Sequence, residues 1–245
     1  MVIQSYIHPI TALPGPAHEQ PMPMFPAPDA PIRAVVFDLD GLMVNTEDVY
    51  QLVGTELMRR RGKTFDDDLR GAMMGQPAHA ALAVAIEWHA LTDTLEDLAA
   101  ESEATFWELV EDKLTTMPGL HELLAAIDEL GLRKAIATSG ARHYAEELLK
   151  RVDLHEHFEF LMTAGDITHG KPHPEIYQKA ADKLGLPTAE TLVLEDSQNG
   201  CKAGVAAGAY TVAVPSSHSA DHDFSGAKFV ANTLADPRIR EVLAG

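Results

Sequence analysis

The sequence holds a single cysteine, Cys201, so no disulfide can close within the chain. That suits a reducing compartment. Basic residues are also scarce: 19 Lys and Arg stand against 37 Asp and Glu, a formal charge of −18. So acidic a surface repels phosphate backbones and anionic membranes, and nucleic acid is not an expected partner. Long apolar runs are missing; no stretch of about 18 residues is apolar enough to span a bilayer. The N-terminus lacks the charged-then-apolar order of a secretory signal. These absences predict a soluble, cytoplasmic protein with no membrane partner. Apolar residues are plentiful, at 46%. That is enough for a sizeable core, in one large domain or a core with a small insertion.

Residues 1–31 stand apart. Pro14, Pro16, Pro21, Pro23, Pro26, Pro28 and Pro31 fix φ and remove backbone donors, which rules out an ordinary helix or central strand. The stretch is expected to be an extended, disordered tail without a part in chemistry. Beyond it, Ala34-Val35-Val36-Phe37 is an unbroken apolar run ending at Asp38-Leu39-Asp40-Gly41. Such a run predicts a strand buried on both faces. Similar runs lie at 134–138, 160–162, 191–194 and 210–214. Helical stripes separate them: Leu120, Leu123, Leu124, Ile127 and Leu130; Tyr144, Leu148, Leu149 and Val152; Ile176, Tyr177, Ala180, Ala181 and Leu184. Gly131 and Gly185 supply stops after the first and last. The alternation predicts an α/β fold, a doubly wound parallel sheet with helices on both faces. One gap breaks it. From Asp48 to Lys113 only helical stripes appear: Val49, Leu52, Val53 and Leu57; Leu82, Ala85 and Ile86; Phe106, Leu109 and Val110. The expected organisation is a sheet domain over 32–47 and 115–245, with an all-helical insertion over 48–114.

In a parallel sheet, sites form beyond the carboxyl ends of the strands. The first run ends in Asp38 and Asp40, the second in Thr138-Ser139-Gly140. Gly170-Lys171-Pro172 follows the third, and the fourth ends in Glu195-Asp196. Each alone has a bland reading: a solvated turn, a helix cap, a surface lysine. Together they form a chemically complete set. Four converging carboxylates repel one another unless a cation sits among them, and hard oxygen ligands beside a phosphate favour Mg²⁺. A cation and a lysine would hold a phosphate dianion, with the Thr138 hydroxyl and turn amides on its remaining oxygens. One carboxylate is left to attack phosphorus and another to move a proton.

These segments resemble the motifs of the haloacid dehalogenase superfamily. They are Phe37-Asp38-Leu39-Asp40-Gly41-Leu42, Ala137-Thr138-Ser139-Gly140, Gly170-Lys171-Pro172-His173-Pro174-Glu175 and Leu194-Glu195-Asp196-Ser197-Gln198-Asn199-Gly200. The likeness runs from Arg33 to about Pro215 and is nearest to the branch of β-phosphoglucomutase and small-metabolite phosphatases with a helical cap. It implies a Rossmann-like core and an aspartyl-phosphate intermediate. Asp38 is the implied nucleophile. Asp40 would protonate the leaving oxygen and then activate water, its carbonyl also binding Mg²⁺. Thr138, Ser139 and Gly140 would bind the phosphoryl group and Lys171 neutralise it. Asp38, Asp40, Glu195 and Asp196 would hold the metal. The superfamily's dehalogenases lack the second acid of the first motif; Asp40 is present here, which favours phosphoryl transfer.

The expected function is therefore Mg²⁺-dependent hydrolysis of a small phosphorylated metabolite: a sugar phosphate, phosphoglycolate or a nucleotide-type monoester. The loop 73–79 resembles the family's specificity loop, which implies substrate contacts from Gly75, Gln76 and His79. Mutases of the family carry an arginine where Ala78 stands, which weakens the rival reading of a sugar phosphomutase. The second rival, a catalytically silent binding protein, is weakened because all four motifs are intact. Elsewhere, Cys201 is expected to be packed in a helix, and His218 and His222 to lie on a solvated loop. The run Arg59-Arg60-Arg61-Gly62-Lys63 is expected to be compensated by Asp66-Asp67-Asp68.

Overall fold

The computed structural model describes residues 25–73 and 78–245. In chain order its elements are β1 (Ala34–Phe37), α1 (Thr46–Arg60), α2 (Asp67–Met73), α3 (Ala78–His89), α4 (Leu95–Lys113), α5 (Leu120–Glu129), β2 (Arg133–Ala137), α6 (Arg142–Arg151), β3 (Leu161–Met162), α7 (Glu175–Leu184), β4 (Thr191–Glu195), α8 (Gln198–Ala207), β5 (Tyr210–Ala213), β6 (Phe229–Val230) and α9 (Pro237–Ala244). The strands form one sheet in the order β3-β2-β1-β4-β5-β6, with every pair parallel. All five apolar runs of the sequence become strands.

The fold is doubly wound because successive side chains of a strand face opposite ways. Val35 and Phe37 join one apolar cluster, with Leu123 and Ile127 of α5, Leu148 of α6 and Ile239 of α9. Ala34 and Val36 join the other, with Ile176 and Ala180 of α7 and Ala203 of α8. Burying one side chain such as Phe37 contributes about 2–3 kcal/mol. From β1 the chain steps to β2 on one side and returns to β4 on the other. That reversal opens a crevice beyond the carboxyl ends of β1, β2 and β4, the usual ligand position in such sheets.

Between β1 and α5 the described chain is helical, α1 to α4. On α1 the buried stripe is Val49, Val53, Leu57 and Met58, whereas Leu52, expected on that stripe, is 40% exposed. The two chain crossings into and out of these helices are clipped together. Asn45 N–H donates to Thr115 O at 3.1 Å, Asn45 Nδ2 to Lys113 O at 3.2 Å, and Thr115 N–H to Asn45 Oδ1 at 2.7 Å.

Two expectations need correction. The arginines of the basic run are compensated from within α1, from α4 and from the loop before α4, and not by Asp66-Asp67-Asp68. Arg59 pairs with Glu56, Arg60 with Glu56 and Glu101, and Arg61 with Asp93 and Glu101. The aspartates instead open α2: Asp66 Oδ1 accepts from Leu69 N–H at 2.9 Å, an N-terminal cap. The end of the proline-rich segment is also pinned to the sheet domain. Phe25 packs on Phe229 with ring centroids 5.1 Å apart, and the Tyr210 hydroxyl donates to Pro26 O at 2.5 Å.

Candidate active site

Asp38 follows β1 directly, and its N–H extends the ladder to Leu194 O at 3.0 Å. Its carboxylate is nearly buried and accepts from Lys171 Nζ at 2.5 Å. Lys171 also donates to Glu195 Oε1 at 2.7 Å and to Ala137 O at 2.9 Å, so its three protons are all engaged. Glu195, fully buried, is served by four donors. Oε1 takes Lys171 and the Tyr177 hydroxyl (2.8 Å); Oε2 takes Ser197 N–H (3.1 Å) and Ser197 Oγ (3.0 Å). A Cβ on Gly200 would lie 1.6 Å from Glu195 Oε1, so only glycine lets the first turn of α8 pass there. Gly41, at φ +77°, is constrained likewise: its Cβ would lie 2.5 Å from Asp196 Oδ2.

Asp40, half-buried, accepts from the Tyr144 hydroxyl on Oδ1 at 2.8 Å and from the Thr138 hydroxyl on Oδ2 at 3.2 Å. Gly140 N–H donates to Thr138 Oγ1 at 3.0 Å. Burial pushes the Asp38 carboxyl up to about 8; Lys171 works against the rise, and Glu195 and Asp40 add to it. Burial also raises Asp40 and lifts Asp196 well above the usual carboxylate range, Glu195 and Asp38 reinforcing it. Burial disfavours the Lys171 ammonium, but Asp38 and Glu195 outweigh that and hold it above the ordinary lysine value.

Asp38, Glu195 and Asp196 bring oxygen atoms within 4.8 Å of one another. Among the described residues no donor reaches the Asp196 carboxylate. Surplus negative charge, oxygen donors only, and one unserved buried carboxylate fit a small hard dication. A cation there would offset the burial, and the weaker mutual repulsion, that raise Asp38 and Asp196.

The cleft over these groups has a volume of about 510 Å³ and is lined by Asp38, Asp40, Thr138, Ser139, Lys171 and Asp196 among others. A smaller cavity of about 230 Å³ beside Gly208, Tyr210 and Lys228 holds none of the motif residues. Gly140 is not among the lining residues, its amide being spent on Thr138. His79 is exposed at the start of α3 and does not line the cleft. Gly75 and Gln76 lie outside the described residues. Cys201 is packed, 1% exposed.

His218 and His222 do sit on a loop, but not in open solvent: both line the cleft. His218 Nε2 meets Asp48 Oδ1 of α1 at 2.7 Å, and Gln198 N–H donates to His222 Nδ1 at 3.4 Å. Glu47, Gln198 and Asn199 complete that wall. The i, i+4 spacing of the histidines carries no information about it; a loop following β5 returns over the crevice only because of where β5 lies in the sheet.

Residues 35–214 match the family model described as haloacid dehalogenase-like hydrolase. The chain belongs to the haloacid dehalogenase-like hydrolases. Within that family it is similar to a phosphorylated carbohydrates phosphatase of Thermotoga maritima. The two are 31% identical over 181 residues, covering 72% of this chain and 82% of the relative. A crystal structure of a haloacid dehalogenase family hydrolase from Deinococcus radiodurans, with bound phosphate and sodium, superposes with a TM-score of 0.74. It is 30% identical and covers 88% of this chain and 96% of that one. A β-phosphoglucomutase from Clostridium difficile shares the fold alone, at a TM-score of 0.67 and 20% identity, over 87% of this chain and 97% of that one.

Proposed function

We propose that this haloacid dehalogenase-like hydrolase is a Mg²⁺-dependent phosphoric monoester hydrolase. Its substrate is a small phosphorylated metabolite of the sugar phosphate, phosphoglycolate or nucleotide-type monoester class. The observation that carries the reading is the single cleft in which Asp38, Asp40, Thr138, Lys171 and Asp196 meet. Asp38 Oδ attacks phosphorus while Asp40 gives a proton to the leaving oxygen; the product alcohol departs and an aspartyl-phosphate remains on Asp38. Asp40 then takes a proton from water, which attacks phosphorus and restores Asp38. Thr138 and Ser139 hold phosphoryl oxygens, and Gly140 holds the Thr138 hydroxyl. Lys171, fixed by Glu195 and Ala137 O, neutralises charge between nucleophile and phosphoryl group. Asp38, Asp196 and the Asp40 carbonyl are the proposed direct Mg²⁺ ligands. Glu195, already served by four donors, contributes through water and through Lys171. When bound, Mg²⁺ supplies charge neutralisation and alignment of phosphate and nucleophile.

The phosphomutase reading shares this machinery but needs a second phosphate site, normally cationic. Among the described residues lining the cleft, Lys171 is the one Lys or Arg, and its protons are engaged. Arg59 and Arg70 are paired with Glu56 and Asp67, away from that lining. The polar wall of Glu47, His218, His222, Gln198 and Asn199 offers hydrogen-bond partners to hydroxyl groups. β-Glucose 1-phosphate, supplied with Mg²⁺, is expected to yield glucose and inorganic phosphate, with activity lost to chelator and poorly restored by Ca²⁺. Stoichiometric conversion to glucose 6-phosphate without phosphate release would replace this reading by the mutase. Full activity after exhaustive metal removal would refute the metal assignment.

A further inference from the structure

Tyr144 has no part in the steps above, yet its hydroxyl makes the shorter of the two bonds to Asp40, 2.8 Å against 3.2 Å from Thr138. The two donors sit on different carboxylate oxygens, so together they fix the plane of the group. Thr138 is required by the incoming phosphoryl group. Of these two donors Tyr144 is then the one left on Asp40, and a phenol, protonated at neutral pH, can serve only as donor to a carboxylate.

The ring of Tyr144 is held from elsewhere. Tyr144 stands on α6, beside the sheet. Its ring centroid lies 5.5 Å from that of Phe106 and 5.8 Å from that of Trp107, both on α4. Phe106 in turn stacks on Tyr50 of α1 at 4.5 Å. Farther along α6, Arg151 lies over the Trp107 ring at 5.5 Å and pairs with Glu111 of α4. An aromatic seam therefore runs from two helices of the insertion to the one phenol that touches the proton-transferring carboxylate.

We propose that Tyr144 is a positioning residue for Asp40, and that its packing against Phe106 and Trp107 lets the helical insertion set the alignment of that carboxylate. The proposal rests on Asp40 being the proton donor of the function proposed above. Misalignment of an acid costs most where the leaving group is most basic and needs the proton most. A residue that merely supports the fold lowers all substrates alike.

The test compares two aryl esters that differ by one para nitro group, phenyl phosphate and p-nitrophenyl phosphate, whose leaving groups differ greatly in basicity. kcat/KM is measured with Mg²⁺ for the wild type and for Tyr144→Phe, which removes one hydroxyl and keeps the ring. The expected result is a loss on phenyl phosphate on the order of tenfold greater than on p-nitrophenyl phosphate. Trp107→Leu should depress the same ratio and add nothing to it in the Tyr144→Phe background. A ratio that is unchanged or raised in Tyr144→Phe, whatever the absolute loss, overturns the positioning role. Independent effects of the two substitutions on the ratio overturn the coupling through the seam. A wild type that releases phosphate from neither ester overturns the functional reading and this inference with it.

Discussion

At the scale of single residues, the site is governed by what has no room to move. Glu195 is buried with four donors, and Gly200 leaves it that space. Gly200→Ala would drive a methyl group into the carboxylate and free it from Lys171, Tyr177 or Ser197. A loss of about 3 kcal/mol or more is expected, since overpacking and a stripped buried charge act together. Equilibrium urea unfolding checks it, and an unchanged midpoint would show that the start of α8 can shift. Most motif residues were legible in sequence because they lie at the end of a strand whose apolar run could be read; Lys171, well beyond β3, was legible through its Gly170-Lys171-Pro172 motif alone. Their partners were less so. Tyr144 reads as one member of a helical stripe, and nothing in its spacing tells that its hydroxyl reaches Asp40. His218 and His222 look like members of a polar loop, and their place on the cleft wall comes from the strand order.

At the scale of elements, legibility follows burial. β1, β2, β4 and β5 are buried on both faces and announce themselves as unbroken apolar runs. β6 is two residues long, and Val230 is 45% exposed, so no pattern marks it. α2 buries Leu69 alone and opens on Asp66-Asp67-Asp68, of which Asp66 is the cap, so no apolar stripe marks it. The proline-rich segment also departs from its composition at its end. Composition alone predicts that a chain beginning at Ala30 keeps its melting temperature. The structure predicts otherwise, because removal strips Phe25 from Phe229 and leaves the Tyr210 hydroxyl without Pro26 O. The expected loss is about 2 kcal/mol, several degrees in melting temperature, with kcat unchanged. Identical melting of the two chains would show that these contacts contribute nothing.

At the scale of the whole molecule, a strongly acidic chain concentrates four carboxylates around one lysine, and the proposed Mg²⁺ would tie its stability to a cation. Burial raises Asp38 from 3.8 to about 8 and lifts Asp196 as well. The unfolded chain releases these protons first as pH rises, so the metal-free protein should lose stability progressively between about pH 4 and 8. A dication binds the ionised form, so its stabilisation should grow over the same interval. Melting curves with chelator and with Mg²⁺ across that range check both slopes; a metal-free stability that rises toward pH 8 would contradict them. The central claim, that Asp38 is the nucleophile, has a more direct test. Enzyme quenched during turnover of p-nitrophenyl phosphate with Mg²⁺ is reduced with borohydride, which converts an aspartyl-phosphate to homoserine, and its peptides are sequenced by mass spectrometry. The account predicts homoserine at position 38 and intact aspartate at position 40. Homoserine at another position, or none in enzyme that is visibly releasing phosphate, would contradict it.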